Sequence, residues 1–247
     1  MGGLWRAILG CFTGGARSAA APAIGGPDIG LDNCDPCTNG EYFFLEQMAR
    51  DWTLLLDVGA NESDYAAKVR EVNPACKVIC FEPNLELIPD LQKRGFAEIH
   101  HLAVGDTNGH ISIHINTADP SQSSIFRKNR DTFMRAVPCV RLDDFCSSRD
   151  MGHIDLVKID TEGNEIAVLR GMSRLIANTA VDLIQFEYGG TYRDAGTSLK
   201  DAFDLLEEHY VVCLLCPQGL LPCMYGAAQE HYRYSNWVAV SRRIYGR

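Results

Sequence analysis

Nowhere in this chain do apolar residues run for the roughly 20 positions that a bilayer-crossing helix requires, so no membrane span is expected. Basic residues are also short: 23 Lys and Arg face 32 Asp and Glu, a net charge of −9. That is the wrong sign for gripping the phosphates of DNA or RNA, and no nucleic-acid partner is expected. Glycine is missing where a dinucleotide would need it. A pyrophosphate cradle reads G-x-G-x-x-G, whereas the turn Gly59-Ala60-Asn61-Glu62-Ser63-Asp64-Tyr65 has a single glycine and sets Glu62 and Asp64 where phosphates would lie. Residues 1–27 hold Arg6, Arg17 and an Ala/Gly-rich stretch but no acid, which suits a flexible leader over residues 1–32 or an organellar transit peptide. Lipid anchors are set aside as well. Arg6 stands where a myristoylation signal carries Ser or Thr, and the apolar stretch before Cys11 is short for a lipoprotein signal.

What is present is enough for one large α/β domain, expected over residues 33–247, with 46% hydrophobic residues to fill its core. The ten cysteines lie mostly within apolar runs, as Cys76, Cys80, Cys139 and Cys213 do. A thiol there behaves as a small hydrophobe, which points to a reducing, cytoplasmic setting, with organellar import left open by the acid-free N-terminus. Two pairs have the spacing of metal ligands, Cys34/Cys37 and Cys213/Cys216. The second falls in an expected strand, where positions three apart face opposite sides of a sheet, and no metal site is assigned.

The order of elements follows from hydrophobic period and turn residues. A helix within residues 33–52 precedes a buried strand, Leu54-Leu55-Leu56-Asp57-Val58. A helix over residues 64–72 leads to the strand Lys77-Val78-Ile79-Cys80-Phe81, and another over 86–94 leads to a third strand at 97–104. The alternation Ile111-Ser112-Ile113-His114-Ile115 marks a half-exposed strand, read with the preceding turn as a hairpin inserted in the core. A polar loop at 117–131 and a short strand and turn at 137–145 follow. The core resumes with a strand at 154–160, a helix at 165–178, a strand at 181–187, a helix at 199–209 and strands at 210–215 and 237–241. Such alternation means a doubly wound, mostly parallel sheet with right-handed crossovers; no internal repeat is present.

Four of these strands close on acids: Asp57, Glu82, Asp160 and Glu187. In an open parallel sheet the C-terminal strand ends line the ligand crevice, so the four carboxylates should converge there. A pyrophosphate is disfavoured beside them. S-adenosylmethionine, with ribose and adenine but no phosphate and with cationic amino and sulfonium groups, suits them electrostatically. Glu82 is placed to take the ribose hydroxyls. The competing readings are an NAD-dependent oxidoreductase or epimerase, and a non-catalytic interaction module built on the same fold.

The runs Leu56-Asp57-Val58-Gly59-Ala60-Asn61, Phe81-Glu82-Pro83, Ala103-Val104-Gly105-Asp106, Leu142-Asp143-Asp144, residues 154–165 (Ile-Asp-Leu-Val-Lys-Ile-Asp-Thr-Glu-Gly-Asn-Glu) and Val168-Leu169-Arg170-Gly171 occur in this order. Together they resemble the FkbM family of S-adenosylmethionine-dependent methyltransferases, over roughly residues 54–240. The resemblance implies a Rossmann-like class I methyltransferase sheet of seven strands, the last antiparallel, and O-methylation of a hydroxyl on a sugar, polyketide or similar small molecule. Cofactor contacts are then expected from Asp57, Gly59, Asn61, Glu82, Ala103, Val104 and Asp160. An alcohol also needs a proton acceptor within hydrogen-bond reach. Asp160 is the first candidate and Glu187 the second, with Glu162 and Glu165 equally explained as acids at a helix start. Lys158 is expected to pair with one of these acids. His100 and His101 stand near the ligand or, more simply, are partly buried structural groups. Tyr188, Gly189, Gly190, Tyr192 and Arg193 form a candidate acceptor loop. One residue departs from the family pattern: Ser63 stands where glycine is usual, a steric cost wherever φ must be positive.

Overall fold

The structure, a computed structural model, describes residues 31–96, 98–116 and 132–245. The polar loop at 117–131, and all but the last two residues of the expected leader, lie outside these. Helix α1 (Glu41–Met48) precedes β1 (Leu54–Val58), followed by α2 (Asp64–Val72), β2 (Lys77–Phe81), α3 (Ile88–Lys93) and β3 (Glu98–His100). Next come β4 (Ala103–Val104), β5 (Gly109–Asn116), β6 (Thr132–Val140), α4 (Leu142–Ser147), β7 (Ile154–Ile159), α5 (Glu165–Gly171) and α6 (Ser173–Ala177). The chain ends with β8 (Val181–Tyr188), α7 (Gly190–Ala195), α8 (Leu199–Leu206), β9 (Tyr210–Cys216), β10 (Gly219–Pro222) and β11 (Ser235–Ser241).

The main sheet runs β10-β9-β11-β8-β7-β1-β2-β3. The pairs β3/β2, β2/β1, β1/β7 and β7/β8 are parallel, and β11 is antiparallel to both its neighbours. The expected seven strands are therefore present, with β10 added at the edge by a turn after β9. Burial on both faces explains the near-continuous apolar runs of β1, β7 and β8. One face packs under α5 and α8 through Phe186, Leu169 and Phe203; the other packs under α1 and α2 through Leu55, Phe44 and Val69. Cys216 belongs to the first layer and Cys213 to the second, the opposite facing that the strand period demands.

The insertion differs from expectation. The third strand stops at His100, because Leu102 N–H bonds back to the His100 carbonyl at 2.9 Å and turns the chain. Ala103 and Val104 leave the main sheet and pair with β6, giving a second sheet of order β4-β6-β5. The partner of β5 is thus β6, paired in register from Gly109↔Cys139 to Asn116↔Thr132. Residues 142–147 are helix α4 where a turn was expected, and the helix at 165–178 is two helices broken at Met172. The family's Leu142-Asp143-Asp144 motif clamps these pieces together: buried Asp143 accepts the N–H groups of Arg174 and Leu175 at the start of α6, and Asp144 accepts from Arg174 and Asn108.

Candidate active site

Order in the sheet reverses at β1, whose chain neighbour β2 lies on one side while β7 lies on the other. That switch point opens a crevice at the C-terminal strand ends. Here the structure has a cleft of about 880 Å³, open solvent at its mouth included. Its apolar lining is formed by Phe81, Leu87, Leu102, Val104, Ile111 and Ile113, the last three from the inserted sheet. Its polar lining is acidic, formed by Asn61, Glu82, Asp160, Glu162, Asn164 and Glu187. Of the expected cofactor residues, Gly59, Asn61, Glu82, Ala103, Val104 and Asp160 all line this cleft, as does Glu187. Asp57 does not; it is 1% exposed and lies beneath the floor.

The first turn is tightly determined. Gly59 has φ +78, and a Cβ there would fall 1.8 Å from the Asp160 carbonyl oxygen, so only glycine allows the β1 and β7 turns to meet. Asn61 and Ser63 also lie at positive φ, 49 and 58. The Asn61 N–H donates to Glu82 Oε2 at 2.8 Å and the Asn84 N–H to Glu82 Oε1 at 2.7 Å, which aims the Glu82 carboxylate across the cleft. Burial pushes Glu82 up to about 7, against the pull of those two backbone donors and with help from the charges of Asp57 and Asp160. Ser63, the departure from the family pattern, does occupy the left-handed region, but its hydroxyl donates to Asp57 Oδ2 at 2.8 Å. A contact that glycine lacks therefore accompanies the backbone cost.

Beneath the cleft runs a polar row that the apolar pattern of the strands concealed. Register sets Asp57 beside Lys158 and Lys158 beside Gln185 on adjacent strands, all facing the α1 layer. Gln185 accepts from the Tyr65 hydroxyl at 2.6 Å and donates to Glu41 at 2.8 Å, and Asn39 completes Glu41. Lys158 reaches up to Asp160 Oδ2 at 2.8 Å. Burial alone would lower the Lys158 ammonium, yet the carboxylates of Asp160, Glu41 and Asp57 hold it well above the ordinary lysine range. Burial likewise raises Asp57, opposed by Lys158 and Ser63.

Other expected candidates fall elsewhere. Glu165 is buried under the loop and accepts from the Thr161 and Gly163 backbone N–H groups and the Thr161 hydroxyl, a helix-entry role. His100 stacks on Phe81 and meets Phe145 edge-on, and His101 bonds the Pro83 carbonyl; neither lines the cleft. Glu62 and Asp64 face outward to Arg94, so the charge that disfavours a phosphate comes from Glu82 and Asp160 instead. The candidate acceptor loop is largely helix α7, with Tyr192 fully buried. Among the described residues no helix is long and apolar enough to cross a membrane.

Strand order, an antiparallel β11 and an acidic cleft at the switch point define a class I methyltransferase fold. The FkbM methyltransferase domain model matches residues 57–211, and the chain belongs to that family. It is an S-adenosylmethionine-dependent methyltransferase. NoeI, a 2-O-methyltransferase of Sinorhizobium fredii (strain NBRC 101917 / NGR234), is 24% identical over 189 residues, covering 68% of this chain and 76% of that protein. Similar solved structures include the precorrin-6y C5,15-methyltransferase of Geobacter metallireducens GS-15, at 13% identity and TM-score 0.43, covering 90% of this chain and 100% of that one. The plantazolicin methyltransferase BpumL in complex with SAH is similar at 11% identity and TM-score 0.46, covering 85% of this chain and 87% of that one.

Proposed function

We propose that this methyltransferase transfers its methyl group to a hydroxyl of a small molecule, such as a sugar or a polyketide. The observation that carries the reading is the composition of the cleft's polar lining: it presents carboxylates, which accept hydroxyl protons and attract cations, and its lysine is already engaged beneath them. The 2-O-methyltransferase activity named for NoeI supports the same acceptor chemistry.

The residues suit the cofactor. Glu82, with both oxygens fixed by backbone donors, keeps free lone pairs for ribose hydroxyls. Asn61 Oδ1 is buried without a partner, an acceptor waiting for a donor, and with Asp160 it would hold the cationic end. The apolar lining would take the adenine ring. When bound, S-adenosylmethionine supplies an electrophilic methyl group on a sulfonium. The protein's part is to align the acceptor hydroxyl, exclude water and receive a proton.

Calorimetry should show S-adenosylmethionine, and not NAD, binding with micromolar-range affinity, weakened in Asp57→Ala and Glu82→Ala. Mass spectrometry of small molecules released from fresh protein should find S-adenosylhomocysteine. Carbon-13 methyl transfer to a panel of methyl glycosides and hydroxylated macrolides should yield O-methyl signals. Transfer to nitrogen or carbon acceptors alone would refute hydroxyl methylation.

A further inference from the structure

We propose that Glu187, and not Asp160, takes the proton of the acceptor hydroxyl, and that the positive charge of the bound cofactor switches it on. The proposal rests on the reading of the cleft as a site of hydroxyl methylation. Both carboxyls line the cleft; each directly follows the last pair of the β7/β8 register, Ile159↔Phe186, and the Asp160 charge acts on Glu187. Their partners differ. Asp160 is bound to the Lys158 ammonium at 2.8 Å, a charge-assisted contact that commits its carboxylate. Among the described residues none donates a hydrogen bond to the Glu187 carboxyl, on which burial and neighbouring charges act instead. Directly opposite on β11 stands Asn236, whose amide is spent on the Tyr234 hydroxyl.

Every ionisable group around Glu187 bears on its proton. Burial is the largest influence and raises it well above the ordinary glutamate range; Asp160 at the end of β7, Glu162 in the loop and Glu165 on α5 raise it further, and among the described residues Lys158 opposes them. Tyr234 and Tyr192 also sense its charge. Two neighbouring carboxyls, one salt-bridged and one not, divide the roles of anion and proton carrier. In the empty cleft these influences favour the protonated form of Glu187. A cation arriving in the cleft lowers its pKa, and the carboxylate becomes available only when the cofactor is charged. In the transfer the hydroxyl oxygen bonds to the methyl carbon, the carbon–sulfur bond breaks with its electron pair staying on sulfur, and the hydroxyl proton passes to a Glu187 oxygen. The product cofactor is a neutral thioether, so Glu187 retains that proton until the cleft is recharged.

The test needs no acceptor. Titration calorimetry in buffers of different ionisation enthalpy counts protons released on binding S-adenosylmethionine and S-adenosylhomocysteine at pH 7.5. Glu82 meets the ribose of both ligands and cancels in the difference. The expected difference is about half a proton or more, released with the sulfonium ligand. It should vanish in Glu187→Gln, persist in Asp160→Asn, and return in part in Glu187→Asp, with S-adenosylhomocysteine affinity in Glu187→Gln within about twofold of wild type. With a methyl glycoside acceptor, Glu187→Gln should lose at least about 100-fold in kcat. If Glu187→Gln does not fold, carbon-13 carboxyl titration of the Glu82→Gln protein serves: a second glutamate titrating well above the ordinary range that drops on adding S-adenosylmethionine but not S-adenosylhomocysteine supports the assignment, and its absence overturns it. Equal proton release with both ligands, or a difference lost in Asp160→Asn but kept in Glu187→Gln, overturns it. Absence of binding by either ligand would instead overturn the methyltransferase reading of the cleft.

Discussion

Replacing Ser63 by glycine and by alanine separates two opposed contributions at the first turn. Ser63 sits at φ 58, ψ 39, where a non-glycine residue costs about 1–2 kcal/mol. Its hydroxyl, 2.8 Å from a carboxylate that is 1% exposed, makes a bond to a charged group worth about 1.5–3 kcal/mol. Glycine relieves the backbone and loses the bond, a net destabilisation of about 1 kcal/mol. Alanine loses the bond and keeps the backbone cost, about 2 kcal/mol. Urea denaturation at pH 8 should therefore rank wild type above Ser63→Gly and Ser63→Ala last. Steps of about 1 kcal/mol correspond to roughly 2–4 °C in Tm for a chain of this size. Because the hydroxyl stabilises the ionised form of Asp57, and burial raises that carboxyl's pKa, both deficits should shrink as the pH is lowered and Asp57 takes up a proton. Ser63→Ala matching or exceeding Ser63→Gly would refute the backbone cost. Ser63→Gly more stable than wild type would refute the value assigned to the hydroxyl.

Three further outcomes are expected. Glu82 titrates in the folded protein at about 7, so S-adenosylhomocysteine affinity measured by calorimetry should rise with pH up to about tenfold per unit below 7 and level off above it, and the rise should disappear in Glu82→Gln. For stability the same shift has the opposite sign: a carboxyl raised on folding favours the folded state below its unfolded value of 4.5, and that contribution is lost as pH climbs through 7. Lys158→Met should destabilise the fold by about 3–5 kcal/mol in urea melts at pH 8, by leaving Asp57, Asp160 and Glu41 without their cation, and by less at pH 5. Gly59→Ala drives a methyl group into the Asp160 carbonyl, so its S-adenosylhomocysteine affinity should fall at least about 100-fold; affinity within threefold of wild type would show that the two turns need not meet so closely.

The parallel core was legible because both-face burial writes continuous apolar runs that end in acids, and β1, β2, β7 and β8 all carry that signature. The insertion was not. A two-residue strand such as Ala103–Val104 has no period to detect, and the partner of β5 depends on long-range pairing that local alternation leaves open. The cleft-lining acids were readable from their position at strand ends. The row Asp57, Lys158, Gln185 was harder to see, because polar residues on different strands become neighbours only through register. Glu41 and Tyr65 carried no sequence signal for the layer below, since each is an ordinary residue of an amphipathic helix until Gln185 is placed between them.

That buried row decides which ligands the cleft accepts. Lys158 is shared by Asp57, Asp160 and Glu41, so the layer under the cleft carries more negative charge than positive before Glu82 and Glu187 are counted. A pyrophosphate would add anions to an acidic site where, among the described cleft residues, the lysine is already engaged, and the first turn lacks the glycines that open backbone N–H groups. A sulfonium supplies the missing positive charge, and loses it in the reaction. The cleft therefore opposes its own product electrostatically unless a carboxyl is protonated in the same step, and Glu187 is the cleft-lining acid to which no described residue donates a hydrogen bond, whereas Asp160 holds Lys158 and Glu82 holds two backbone N–H groups. The excess of acids that marks the cofactor site in the sequence is thus the same feature that ties the acceptor's proton to the cofactor's charge.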